Sequence, residues 1–364
     1  MLKENLAYLY KRIKQSLIRR FSFLQNDQRE GRTMVLTAKS PAYEIMAPVD
    51  KIITAHMNAK FSEVFFKING MGVSYIPVLD DDDDCVKILS RLDLVKSVPP
   101  AQIPEEVAAE YGINRGKIVR SIATLGNKRI SDLFQGQQNI ISVEPSDSIE
   151  VVIQKLTDKH GIGDRLRYIS GLPVFLDGSR ALEGFISFRD VLQYFIATQQ
   201  DFLKTAVRDV ATLPVDYDEV IRMTDDDDLS FADSLLQMGV RSIPIVTGPR
   251  GTDKYASREL WGFVDEIKVN IYKHEEFTNN LANLQCKHFG LEVKTLARRG
   301  HIISPDDSLA ACLPKFWGRE EGQIPPAAFV VAEKKDEKND KYDLLGVISY
   351  IDILRAWKKW DAKN

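Results

Sequence analysis

The stretch "LEGFISFRDVL" at residues 182–192 returns near the other end of the chain as "LLGVISYIDIL" at residues 344–354. Both read apolar, Gly, two apolar, Ser, two residues, Asp, two apolar. Such a run reads as a strand that ends on a serine opening a helix, with the acid in the first helical turn. Two further stretches carry the pattern. "VKILSRLDLVK" at 86–96 keeps Ser90 and Asp93 but has Lys87 in place of the glycine. "LWGFVDEIKVN" at 260–270 keeps Gly262 but puts Asp265 at the serine position and Lys268 at the aspartate position. One motif therefore occurs four times along the chain, once altered in its polar pair.

The residues upstream of each copy follow one grammar. Before the second, Ile141 and Val143 alternate as in a strand, "EPSDS" is a turn, and Ile149, Val152, Ile153 and Leu156 form one helical face. "GLPVFLDGSRALEGFIS" then reads as a hairpin around an Asp-Gly turn. The fourth copy has Leu309, Cys312, Leu313 and Phe316 at the same helical spacing, and the first has Phe61, Val64, Phe65 and Ile68 before "YIPVLD". In the third, Leu229, Ala232 and Leu236 precede "SIPIV". The predicted fold is α/β, a β-α-β-β-α unit repeated four times, each burying one face of a small sheet under helices.

Composition bounds the possibilities. A chain of 364 residues, 44% hydrophobic and 28% charged, has room for more than one globular domain. A formal net charge of −3 gives no overall attraction to nucleic acid. Cys85, Cys286 and Cys312 form no CxxC pair, which suits a reducing compartment. No apolar run is long enough to span a bilayer and the first residues lack a secretory pattern, so the expected location is the cytoplasm or nucleus. Residues 1–36 stand apart: Leu6, Leu9, Tyr10, Ile13 and Leu17 at helical spacing, with Lys11, Arg12, Lys14, Arg19 and Arg20, predict a basic amphipathic helix followed by a linker. Such a helix covers the protein's own core or docks on an anionic surface.

The motif set "PV" strand, hairpin, Gly-apolar-apolar-Ser-x-x-Asp resembles that of cystathionine-β-synthase (CBS) domains. The resemblance runs from about residue 45 to 358. In that family two units pair as a Bateman module, so four units imply two modules, as in the γ regulatory subunit of AMP-activated protein kinase and stand-alone four-unit proteins. The implied boundaries are 37–200 for the first module, with units at about 40–98 and 131–200 around a helical linker at 99–130, and 201–364 for the second, with units at about 203–275 and 285–360. The spacer at 97–135 and the loop "EKKDEKNDKYD" are longer than the family pattern requires.

The resemblance also implies a ligand. In the family the aspartate accepts hydrogen bonds from a ribose, with the serine beside it, which would give Ser90 and Asp93, Ser187 and Asp190, and Ser349 and Asp352 that role. The same residue types form a helix capping box with no ligand at all, contributing about 1 kcal/mol per helix. Lys268 cannot accept from a ribose, so the third site is expected empty of ribose, its lysine turned to a neighbouring phosphate. Arg91, Arg165, Arg167, Arg189 and Arg241 flank the motifs and are candidate phosphate donors. Ile141, Val143, Pro173 and Ile303 are candidate walls for an adenine ring.

Other chemistry is missing. "GINRGKI" at 112–118 lacks the spacing and the hydroxyl residue of a P-loop, no GxSxG elbow occurs, and the five histidines have no metal-ligand spacing with the cysteines. The acidic runs at 80–84 and 225–228 have no glycine-bearing ligand loop and read as solvated turns rather than cation sites. The expectation is a non-enzymatic protein with no required cofactor and no metal. It would bind AMP, ADP or ATP as a regulatory ligand and modulate a kinase or another enzyme. The rival is a ligand-independent scaffold or dimerisation module acting through self-association, and a remnant enzyme in the 97–135 spacer comes third.

Overall fold

The computed structural model describes residues 36–70, 73, 75–90, 93–94, 127–134, 139–162, 165–167, 169–176, 178–199, 201–212, 223–224, 227, 231–232, 235, 242–247, 259–265, 291–292, 302–313, 327–333 and 342–363. The basic N-terminal stretch and most of the 97–135 spacer lie outside these residues.

In chain order the elements are β1 (Ala47–Pro48), β2 (Ala55–His56), α1 (Phe61–Gly70), β3 (Tyr75–Leu79), β4 (Cys85–Ser90), α2 (Ile130–Leu133), α3 (Ile149–Thr157), β5 (His160–Ile162), β6 (Arg165–Arg167), β7 (Gly171–Phe175), β8 (Leu182–Ser187), α4 (Phe188–Thr198), β9 (Met223–Thr224), β10 (Ser242–Val246), β11 (Leu260–Asp265), β12 (Leu291–Glu292), β13 (Ile302–Ile303), α5 (Leu309–Cys312), β14 (Ala327–Glu333), β15 (Tyr342–Ser349) and α6 (Tyr350–Asp361). Short 3-10 turns at Ala42–Glu44, Val49–Lys51, Phe202–Lys204 and Val207–Asp209 join them.

Four antiparallel hairpins, β3–β4, β7–β8, β10–β11 and β14–β15, share one register. Tyr75 faces Ser90, Gly171 faces Ser187, Ser242 faces Asp265 and Ala327 faces Ser349. Three residues further in, Val78 faces Lys87, Val174 faces Gly184, Ile245 faces Gly262 and Val330 faces Gly346. Each hairpin has a bulge immediately after that pair, and a bulge bends the strand and increases its twist. A short parallel strand lies against the first strand of each hairpin: β2 on β3, β9 on β10, β13 on β14, and Val143 on Val174. The four motif copies are thus four repeats in three dimensions.

The repeats exchange segments. β1, which precedes the first hairpin, pairs with β8 of the second, Ala47 with Phe185. Thr212, which precedes the third hairpin, pairs with Val347 of the fourth, and β12 pairs with β11. Backbone bonds show the same correspondence twice over. The Ala42 amide donates to the Asp147 carbonyl (2.6 Å) as that of Val207 donates to Asp307 (2.8 Å). The Ile149 amide donates to Ser40 as that of Leu309 donates to Thr205 (both 2.9 Å). Residues near 40 and 203, which open the first and third units in chain order, therefore sit in the sheets of the second and fourth.

Hydrophobic burial closes these units into a ring. One core joins the second and fourth, with Phe188 against Tyr350 (ring centroids 4.2 Å) and Phe195 stacked on Trp357 (5.2 Å). Equivalent residues of α4 and α6 meet, so the two helices pack about a local two-fold axis. A second core joins the first and third through residues such as Phe65, Ile76, Ile243 and Val264. Smaller cores tie the third to the fourth around Phe263 and Phe329, and the first to the second around Cys85, Phe175 and Leu182. The helical stripes read from sequence are inside: Phe61, Val64, Phe65 and Ile68, then Ile149, Val152, Ile153 and Leu156, then Leu309, Cys312 and Leu313 are all buried.

Candidate functional site

Each of the three intact motifs ends a strand at a serine and starts a helical turn. The geometry is the same in all three. The Asp Oδ2 accepts from the serine amide at 2.8 Å and from the serine hydroxyl at 2.6 Å, for Ser90 with Asp93, Ser187 with Asp190 and Ser349 with Asp352. In α4 and α6 this is a complete capping box, the serine accepting in return from the third backbone amide. The box satisfies helix-terminal amides and sets the acid where the helix end is electropositive.

The box uses one carboxylate oxygen. A carboxylate has two, with about four lone-pair directions. At Asp352 the second oxygen, Oδ1, accepts from the Thr212 hydroxyl at 3.3 Å, across 140 residues of sequence. Thr212 comes from the segment that pairs with Val347. Here a carboxylate at a helix N-terminus, a hydroxyl from a second segment and the backbone beside Gly346 surround one place. Donors and acceptors of this kind suit a vicinal diol, and the N-terminus of a twelve-residue helix suits an anion. Nothing in the residues around Thr212 singles it out. Its signal was the internal repeat, which puts Ala47 at the same position against the second hairpin.

The motif glycine has a steric reason. A Cβ on Gly184 would stand 2.5 Å from the Ala47 carbonyl oxygen and 2.9 Å from Met46 Sδ. The exchanged strand can approach only where there is no side chain. The first hairpin breaks this rule with Lys87. Its Nζ donates to the Phe134 carbonyl at 2.6 Å and lies 5.8 Å from the Phe134 ring centroid. Burial lowers the pKa of this amine, and the nearby Asp93 charge opposes the shift.

The other candidates distribute as follows. Arg189 is half-buried in the first turn of α4, close to the Ser187 box. Arg165 and Arg167 lie on β6, whose backbone pairs with β5. Arg91, Arg241 and Lys268 lie outside the described residues. Val143 and Ile303 are buried in the core shared by the second and fourth units, and Ile141 packs against that core. Pro173 is buried in β7, its carbonyl accepting from the Val143 amide at 3.1 Å.

The acidic runs are turns. Asp80 Oδ1 accepts from the amides of Asp82 (3.1 Å) and Asp84 (3.0 Å), and Asp83 adopts a positive φ of 62° at the hairpin tip. Asp227 accepts from the Thr224 amide at 2.8 Å, as Asp147 does from Glu144 (2.9 Å) and Asp307 from Ser304 (3.2 Å). Among the described residues, no group of three or more His, Cys, Asp or Glu side chains converges on a metal site, and no helix is long and apolar enough to cross a membrane.

The family model for the CBS domain matches residues 42–99 and 130–197. A protein from Methanocaldococcus jannaschii, proposed as an archaeal homologue of γ-AMPK, superposes with a TM-score of 0.56 at 16% identity, over 87% of this chain and 100% of that one. An uncharacterised conserved protein from Pyrococcus horikoshii matches at 14% identity over 87% and 99%, with a TM-score of 0.45. CBSX2, solved in complex with AMP, matches at 15% identity over 44% and 98%, with a TM-score of 0.31. No curated protein matches the chain.

Proposed function

We propose that this CBS-domain chain is a non-enzymatic regulatory protein of four CBS units in two Bateman modules, residues 37–200 and 201–364. It takes AMP, ADP or ATP in clefts beside Asp190 and Asp352 and thereby changes the activity of a bound kinase or other enzyme. The observation that carries the reading is the pairing of Asp352 Oδ1 with the Thr212 hydroxyl. One carboxylate oxygen finishes the helix, and the other accepts from a hydroxyl on a second segment, the bond that a ribose hydroxyl would make in its turn.

The exchanged segments supply a route from ligand to partner. A nucleotide at Asp352 touches both the helix of the fourth unit and the segment leading into the third. Its binding therefore favours one arrangement of the pair, and a partner that reads that arrangement is coupled to the ligand. In the second unit the counterpart of Thr212 is Ala47, which has no hydroxyl, so the cleft beside Asp190 holds a nucleotide less firmly than that of Asp352.

Isothermal titration of the full chain with AMP, ADP and ATP tests this. Saturable heat is expected for at least one of them, weakened by Thr212→Val and by Asp352→Ala. No heat and no change in melting temperature at millimolar nucleotide would remove the reading. The scaffold reading is favoured by one observation, that the capping boxes are complete without any ligand. Partner capture that is indifferent to nucleotide would support it.

A further inference from the structure

The first cleft differs from its three counterparts at one position. Register places Lys87 where Gly184, Gly262 and Gly346 stand. In the second unit that glycine leaves room for the exchanged segment, with Met46 and Ala47 lying directly over it. The first unit receives its own exchanged segment from the stretch around α2. The Ile130 amide donates to the Ala59 carbonyl at 3.0 Å, as that of Ala42 donates to Asp147, and Lys60 bridges Arg129 as Pro41 bridges Ser148. Counting from Ile130 and Ala42, Phe134 is the counterpart of Met46. Lys87 therefore reaches across the first cleft to the residue that roofs it.

We infer that Lys87 closes the first cleft from within, its amine bonded to the Phe134 carbonyl, so that the chain's own side chain takes the place a nucleotide would occupy. The inference rests on the nucleotide reading of the other clefts. Three observations support it. The amine makes a short bond to a backbone carbonyl on the far wall, at 2.6 Å. The same amine lies over the Phe134 ring, 5.8 Å from its centroid. The charge of Asp93, the acid that would otherwise face a ribose, favours the charged form of this amine against the effect of burial. A nucleotide entering here would have to break the bond to Phe134 and displace the half-buried lysine side chain. Ser90 and Asp93 keep the capping geometry of the other boxes, so in this unit the motif serves the helix alone.

Equilibrium dialysis of the full chain with radiolabelled AMP, and separately ATP, counts the sites. Asp93→Ala in the native background is expected to leave stoichiometry and affinity unchanged. Lys87→Gly, which restores the residue used by the other units, is expected to add one equivalent of bound nucleotide, and the Lys87→Gly/Asp93→Ala double variant to lose it again. Lys87→Ala serves as a second opening substitution if the glycine variant melts early. Loss of a site on Asp93→Ala alone, or unchanged stoichiometry in both Lys87 variants while the native chain binds, overturns the closure and leaves the sensor reading standing. Binding to the Lys87 variants but not to the native chain overturns the sensor reading and leaves the closure standing. Binding to neither removes both.

Discussion

Capping and ligand binding call on the same aspartates, and replacing them one at a time separates the two roles. Asp93, Asp190 and Asp352 each accept two bonds from their serine at 2.8 and 2.6 Å. Replacement by alanine removes the same capping interactions at each position, so the folding cost should be nearly uniform. It is about 1–2 kcal/mol for a lost N-cap interaction, with somewhat more at Asp190, which is the most buried of the three. The binding cost should not be uniform. A carboxylate that accepts from sugar hydroxyls contributes about 1.5–3 kcal/mol, a loss of roughly 10- to 150-fold in affinity. That loss is expected in full at Asp352, where Thr212 completes the site, in part at Asp190, and not at all at Asp93. Urea denaturation gives the first quantity and nucleotide titration the second. If affinity losses at the three positions simply follow the stability losses, the acids act only as helix caps and the ribose argument fails.

Three further outcomes follow from the packing. Gly184→Ala should destabilise the chain by about 1–3 kcal/mol in urea, because its Cβ would meet the Ala47 carbonyl oxygen at 2.5 Å, and overpacking of that size forces backbone shifts. A cost under ~0.5 kcal/mol would mean that the exchanged strand does not need the glycine. Trp357→Ala should cost about 3–5 kcal/mol, since it empties the centre of the α4–α6 contact. Trp357→Phe should cost far less, because the buried indole N–H has no hydrogen-bond acceptor to lose. Cys85 gives a pH dependence. Burial pushes its thiol up to about 12, so between the ordinary thiol pKa and that value the folded chain retains a proton that the unfolded chain has released. Stability from the buried neutral thiol is thus complete below about pH 8.5 and declines as pH rises toward 12, by roughly 1.4 kcal/mol per unit. The fall in denaturation midpoint between pH 8 and pH 10.5 should be smaller in Cys85→Ala than in the native chain.

The hairpins were legible because their information is local. A glycine, a bulge and a Ser-x-x-Asp cap lie within a dozen residues, and each states its own backbone requirement. The helical stripes were legible for the same reason, through a period of 3.6. The acidic runs read correctly as turns, because aspartates that bond their own backbone are common at such places. The strand exchange was not legible. β1 and β12 are two residues each, too short for any periodicity. The available signal was "PVD" occurring at both 48–50 and 214–216, each just after a segment that crosses to the next sheet. Thr212 escaped for that reason, its partner Asp352 being remote in sequence. Val143 and Ile303 show the opposite limit. In a strand buried on both faces every position is apolar, so sequence does not distinguish a residue facing a cleft from one facing the core, and these two face the core.

The departures from the repeat carry the functional argument further than its regularities do. Hairpin register, bulge, parallel strand and segment exchange hold in every copy that the described residues cover, so the architecture alone would make four equal clefts. Equality is broken by single side chains at equivalent places: Thr212 against Ala47 on the exchanged segment, Lys87 against three glycines on the hairpin, and Asp265 with Lys268 against a Ser-Asp pair. None of these changes disturbs the fold, since each unit retains its register and its buried core. On the proposed reading these differences grade the clefts, and graded sites respond over a wider range of ligand concentration than identical ones. The expected order of nucleotide affinity is then Asp352 first and Asp190 second, with no ribose bound beside Lys87 or Lys268.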